Sequence, residues 1–155
     1  MDDNPRDDRS NHDHIEKACQ RLCLDYSRYV DFRQYDRFVA LFTEDGVLDT
    51  GFKMEGRAAI EIAMSKRPDT LRSRHVVTNH IVDVIDEENA QGITYLTLYR
   101  AITDEAKDPD FVLPFDGPAA IGHYTDKYRK TKDGWRFAPR ELTFTFQNPE
   151  AFPKR

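Results

Sequence analysis

AAIGHYTDKYRKTKDGWRFAPRELTFTF, residues 119–146, is filled with β-branched and aromatic residues on both sides of a central KDG turn signal. The pattern predicts two long strands, Ala119–Lys132 and Trp135–Phe146, joined as a hairpin. Toward the N-terminus, AQGITYLTLYRAIT (90–103) and HVVTNHIVDVI (75–85) have the same character and are separated by the turn cluster DEEN. Four long strands in succession read as an antiparallel meander. Between its second and third strands, residues 104–118 hold three prolines and no clear period. This segment is expected to be a long loop overhanging the mouth of a pocket.

Ahead of the strands the periodicity is helical. Ile15, Cys19, Leu22, Tyr26 and Tyr29 recur at spacings of three and four, with Lys17, Arg21, Asp25 and Arg28 on the other face. Asp13 and Glu16 in front of this run have the form of a capping box. A short second helix follows, with Phe38, Leu41 and Phe42 as its apolar face, stopped by Glu44, Asp45 and Gly46. Val47–Phe52 reads as a short strand, and Ala58–Met64, between Gly56 and Pro68, as a third helix. Helices first and consecutive antiparallel strands afterwards predict an α+β fold. A curved, mainly antiparallel sheet wrapped over three N-terminal helices would be cone-shaped, with the stripe of the first helix facing an internal pocket.

The 155 residues fit one domain, placed at 13–147 between a polar extension (1–12) and a tail (148–155) containing Pro149 and Pro153. Basic residues number 23 against 28 acidic ones and form no run, which argues against a nucleic-acid partner. The charged start at Met1–Asp13 has no apolar core, and no run approaches membrane-spanning length. Neither leader nor anchor is predicted, and the expected location is cytoplasmic. Cys19 and Cys23, four apart on a helix, are expected to be small apolar fillers rather than a disulfide.

A glycine-rich phosphate loop, HExxH, paired CxxC and GxSxG are all missing from the sequence. The His12, Asp13, His14 triplet lies in the polar extension and reads as solvated. His75 and His80, five apart on a strand, are expected on opposite faces, so no metal site is predicted.

Asp31 stands at the end of the first helix, where the dipole disfavours a carboxylate, and His75 stands near a strand edge. Either Asp31 caps the next helix and His75 is a satisfied core histidine, or the two form a general base with its orienter. In the second case the carboxylate fixes one imidazole nitrogen and leaves the other free to take a proton, with no cofactor. Tyr26 precedes Asp31 by five residues on the apolar stripe. Arg100 in LTLYRAIT and Arg140 after WRFAP are charges in otherwise buried segments, each calling for an acidic partner or an anionic ligand. Tyr124 and Asp126 share one strand face and His123 and Thr125 the other, with the inward face left open. Tyr26, Arg100, Tyr124 and Arg140 are the candidate substrate-binding residues.

Four ordered fragments carry a family resemblance: YSRYVDFRQYDRFVALFTEDGVLDT (26–50), GRAAI (56–60), RSRHVVTNHIVDV (72–84) and GHYTDKYRKTKDGWRFAPREL (122–142). From about Ile15 to Phe146 the chain resembles the SnoaL-like branch of the nuclear-transport-factor-2-like fold. That branch includes scytalone dehydratase, a lindane dehydrochlorinase, a bile-acid dehydratase and polyketide cyclases. The resemblance implies that Asp31 and His75 match an acid and histidine dyad, and that Tyr26 matches a tyrosine of the bile-acid enzyme. Arg100 falls near a pocket histidine of scytalone dehydratase, and Thr50 near one of its tyrosines, so the substrate does not carry over.

The expected function is a cofactor-independent lyase or isomerase acting on a small, largely apolar cyclic molecule. His75 removes the proton, and Tyr26, Tyr124 or Arg100 steadies an oxygen or departing group. The alternative is a non-catalytic ligand-binding or structural subunit, for example like the small subunit of ring-hydroxylating dioxygenases. A sheet face carrying Val76, Val82 and Ile93 is expected to form a homodimer or homotrimer.

Overall fold

Ile15, Cys19, Leu22 and Tyr26, widened by Cys23 and Val30, are buried along one side of helix α1 (Pro5–Asp31). Their three- and four-residue spacing places them on one face, while Lys17, Arg21 and Arg28 remain exposed. The computed structural model describes residues 5–152, with side chains from residue 9 onward. Helix α1 starts well before Asp13, so Asp13 and Glu16 lie inside it and do not cap it. Residues 5–12, expected as an extension, belong to this helix. Residues 1–4 of the expected extension and 153–155 of the tail lie outside the described residues.

Helix α2 (Tyr35–Val39) is shorter than its apolar pattern suggests, because Phe42 opens strand β1 (Phe42–Asp49). Phe42 pairs there with Phe137 of a later strand, and sheet partnership overrides local helix propensity. The stretch read as one strand is broken by a turn with Gly51 at φ 84, giving a hairpin of β1 with β2 (Lys53–Glu55). Helix α3 (Arg57–Ser65) follows.

The four long strands form as β3 (Leu71–Val84), β4 (Asn89–Ile102), β5 (Ala120–Thr131) and β6 (Gly134–Gln147). Each pairs antiparallel with the next, and β1 joins β6 in parallel, giving the order β2-β1-β6-β5-β4-β3. The fold is α+β, with three α-helices and a curved, open, mixed sheet of six strands among the described residues. No helix among the described residues is long and apolar enough to cross a membrane.

A bulge in β3 changes the reading of its two histidines. Pairing with β4 slips between Thr78 and Ile81, and Asn79 takes the left-handed φ of 52. Before the bulge Leu71, Ser73 and His75 face α1; after it Val82 is buried and Ile81 is 63% exposed. His80 therefore points inward like His75, bonding the buried Thr94 hydroxyl at 3.1 Å, contrary to the simple two-residue period. Val82 likewise leaves the outer face, where Ile81 takes its place. Gly92 on β4 permits the close approach, since a Cβ there would lie 2.5 Å from the Ile81 carbonyl oxygen. Among the described residues no group of three or more His, Cys, Asp or Glu side chains could hold a metal ion.

Between α1 and the sheet, aromatic rings fill the interior. Phe38, Phe42 and Phe137 are fully buried, each contributing about 1.5–3 kcal/mol of apolar burial. The Tyr26 ring lies 4.7 Å from Phe38 and 5.4 Å from Tyr124, centroid to centroid. The space expected to be hollow beside the helical stripe is thus occupied by side chains along this part of the core.

Candidate active site

A carboxylate on the last residue of a helix meets the negative end of the dipole and needs donors close by. Asp31 closes α1 and receives three. Ser73 Oγ donates to Oδ1 at 2.8 Å, the His75 main-chain N–H to Oδ2 at 2.7 Å, and His75 Nδ1 lies 2.7 Å from Oδ1. Asp31 does not cap α2, whose N-cap is Gln34. Chain geometry brings the two elements together: Arg33, at φ 56, turns the chain out of α1 and donates to the carbonyls of Pro68 and Leu71. The start of β3 is thereby tied to the end of the helix.

The Asp31 and His75 side chains are 6% and 10% exposed. With the carboxylate accepting from Nδ1–H, the neutral ring has its lone pair on Nε2. Nε2 has no hydrogen-bond partner among the described residues. Tyr26 sets the ring from the side, edge to face at 6.2 Å and 84°. The arrangement can hold one tautomer and orientation of an imidazole whose second nitrogen is free to accept a proton.

Three other predicted site residues belong to the packed interior. Arg140 is fully buried beside Asp126, Nε to Oδ1 3.3 Å, with its guanidinium carbon 4.2, 3.8 and 4.4 Å from the ring centres of Tyr26, Tyr124 and Phe137. Such desolvated cation-π contacts are worth up to about 2 kcal/mol each. Tyr26 and Tyr124 are also buried, and loss of water pushes both phenols above their ordinary pKa. Asp126 further accepts from the Tyr128 hydroxyl at 3.0 Å, and Cys23 lies 3.3 Å from that hydroxyl. Arg140 and Tyr124 are thus withdrawn from ligand reach in this structure, and β5 turns Tyr124 and Asp126 inward while His123 faces out beside Tyr95.

Arg100 differs. It is half-buried opposite Ser73 on β4, and its guanidinium carbon lies 4.7 Å from the ring centre of Phe152. Both line a cavity of about 880 Å³, together with Ser73, Tyr99, Phe111 and Phe115. The long loop forms one wall, as its prolines suggested. The tail forms another: Asn148 caps a 3-10 helix, Pro149–Ala151, and Phe152 then packs edge to face on Phe144 at 5.8 Å. His75 does not line this cavity; Ser73, two residues away on the same face, does. Ser73 and Phe152 were missed in the sequence. Ser73 was findable, since it shares the inward face with His75 by the two-residue period.

The SnoaL-like domain family matches residues 14–141. The chain belongs to this family. Its fold is similar to solved structures that share 19–23% of their sequence with it. A candidate scytalone dehydratase from Novosphingobium aromaticivorans superposes with a TM-score of 0.77 at 23% identity, over 94% of this chain and 93% of that one. An NTF2-like protein with a cystatin-like fold from the same organism gives 0.75 at 20%, over 97% and 96%. LinA gives 0.72 at 19%, over 90% and 91%. At these identities the likeness establishes the fold. No curated protein matches the chain. In this SnoaL-like domain Asp31 and His75 meet where α1 and β3 converge, on the inner face of the sheet.

Proposed function

We propose that this SnoaL-like protein is a cofactor-independent lyase or isomerase that removes a proton from a small cyclic molecule. The observation that carries the reading is the Asp31–His75 pair: a carboxylate with three donors holds Nδ1 and leaves Nε2 without a partner among the described residues. His75 Nε2 is the general base, accepting a proton from carbon, and Asp31 positions the ring and stabilises the imidazolium that forms. Departure of a β-substituent completes an elimination; return of the proton to another carbon completes an isomerisation. The dehydratase name of one structural neighbour agrees with this class.

The test is solvent deuterium uptake into cyclic ketones and hydroxy-substituted rings in D2O. Uptake is expected with the wild type and lost in His75→Ala and Asp31→Asn, with thermal midpoints within a few degrees of wild type. A double variant as active as the wild type ends the proposal.

A second reading is favoured by one observation, the filling of the interior by Tyr26, Tyr124 and Arg140. It makes the protein a non-catalytic subunit. Co-purification with a larger iron-dependent oxygenase, without deuterium uptake, supports that reading.

A further inference from the structure

A guanidinium keeps its charge in a protein and presents five N–H groups in a planar fork. Placed away from water, it is matched by a carboxylate, by carbonyl or hydroxyl oxygens or by a ligand. Four arginines surround Ser73, and three are matched. Arg72 donates to the carbonyls of Phe111, Ala106 and Asp108 in the long loop. Arg74 donates to the Ser73 carbonyl at 2.7 Å and covers the Phe32 ring. Arg67 donates to the hydroxyls of Tyr35 and Ser73 at 3.3 and 3.4 Å.

Arg100 is the exception. It has no hydrogen bond or ion pair to any described residue, and its Nε is buried without an acceptor. Burial, and then the charge of Arg67, pulls it below the ordinary guanidinium pKa. One face of the fork rests on Phe152, which leaves the in-plane N–H groups as the available donors. The cavity's own acids, Asp110, Asp116 and Glu150, lie on its exposed rim, and none pairs with Arg100.

We propose that Arg100 is the binding site for a carboxylate carried on an apolar ring, with the ring held in the 880 Å³ cavity. A single unmatched fork fits one planar, singly charged group in two parallel bonds. Phe111, Leu113 and Phe152, which line the cavity with Arg100, supply apolar surface for the body of the ligand. In the pairing of β3 with β4, Ser73 faces Arg100 and His75 faces Leu98, two inward steps about 7 Å apart along the strand. His75 does not line the cavity, and the anion site stands independently of the proton-transfer reading above.

Titration calorimetry tests it with benzoate, phenylacetate and cyclohexanecarboxylate against their neutral amides. At least one carboxylate is expected to bind saturably and about tenfold or more tighter than its amide, weakening as salt is raised. Arg100→Met is expected to bring that carboxylate down to the amide's affinity. Arg100→Lys, which keeps the charge and loses the fork, is expected to fall between the two, and decides the matter if the Met variant does not fold. His75→Ala is expected to bind the carboxylate as the wild type does, so failure of the dyad and failure of the anion site are separate results. Equal affinities for acid and amide, unchanged binding in a folded Arg100 variant, or no saturable carboxylate binding up to about 10 mM overturns the proposal.

Discussion

Asp31 meets His75 twice, once at the imidazole Nδ1 and once at the main-chain N–H, both at 2.7 Å. The ring is therefore located by the same carboxylate that fixes the position of its backbone. Replacing the carboxylate by an amide keeps the shape and changes the chemistry: the amide can donate to Nδ1 and select the opposite tautomer, putting the proton on Nε2.

For Asp31→Asn the expected loss of turnover is about 10²- to 10⁴-fold, the usual worth of a positioned acid or base. Imidazole nitrogen chemical shifts measured by NMR are expected to report the Nε2–H tautomer in this variant and Nδ1–H in the wild type. The same tautomer in both removes the argument for Asp31 as orienter.

Ser73 bonds the same Asp31 oxygen that lies nearest the ring, at 2.8 Å, and acts on the reaction through that acid. Ser73→Ala removes one of three donors and is expected to cost about 1 kcal/mol of stability. Turnover is expected to drop about tenfold with KM little changed, and Ser73→Thr, which keeps the hydroxyl, to restore most of it. A drop confined to KM would place Ser73 with the ligand instead.

The helix stripe and the four strands were readable because burial on one face imposes a period, three to four residues in α1 and two in the strands. Asp31 and His75 were readable as residues out of keeping with their places. The bulge at Asn79 was not: a single left-handed residue leaves no mark in a run of strand formers, yet it reversed the predicted faces of His80 and Val82. Arg140 and Arg100 looked alike in sequence, each a charge in an apolar strand. Their difference lies in partners remote along the chain, Asp126 for one and Phe152 for the other, which local pattern does not encode. The start of α1 was misread because Asp13 and Glu16 fit a cap equally well inside a helix that had already begun.

Burial pushes the Cys19 thiol up to about 12, helped by the nearby Cys23 and Asp126, and burial raises Cys23 as well. Both are expected to resist Ellman's reagent in the folded protein at neutral pH and to react fully in denaturant. The sign for stability follows: the unfolded chain loses the Cys19 proton near 9, the folded chain near 12, so stability is whole below the first value and declines between them. Rapid labelling of both thiols in the native state contradicts the burial.

His80 is shifted the other way, below its ordinary 6.5, by burial first and by the charge of Arg140 second. The unfolded chain takes up the proton first as pH falls, so the stability this group supports is present above about 6.5 and lost below it. Urea midpoints measured from pH 7.5 to 5 are expected to fall in the wild type and to fall less in His80→Asn, which cannot titrate and can still bond the Thr94 hydroxyl. Parallel curves for the two proteins would show that other groups set the acid limit.

The outer sheet face carries Val76, Ile93, Tyr95 and Ile121, between 38% and 51% exposed, on three adjacent strands. An apolar patch of this kind on one face of an antiparallel sheet favours association, and the sheet is expected to pair with further copies of the chain as a dimer or trimer. Native mass measurement is expected to give that multiple, and the paired substitution Ile93→Asp with Tyr95→Asp to give the single chain. Both side chains point away from α1, so the variant is expected to keep the wild-type thermal midpoint to within the loss of the interface itself. A wild-type protein that stays a single chain at high concentration excludes this face as the contact.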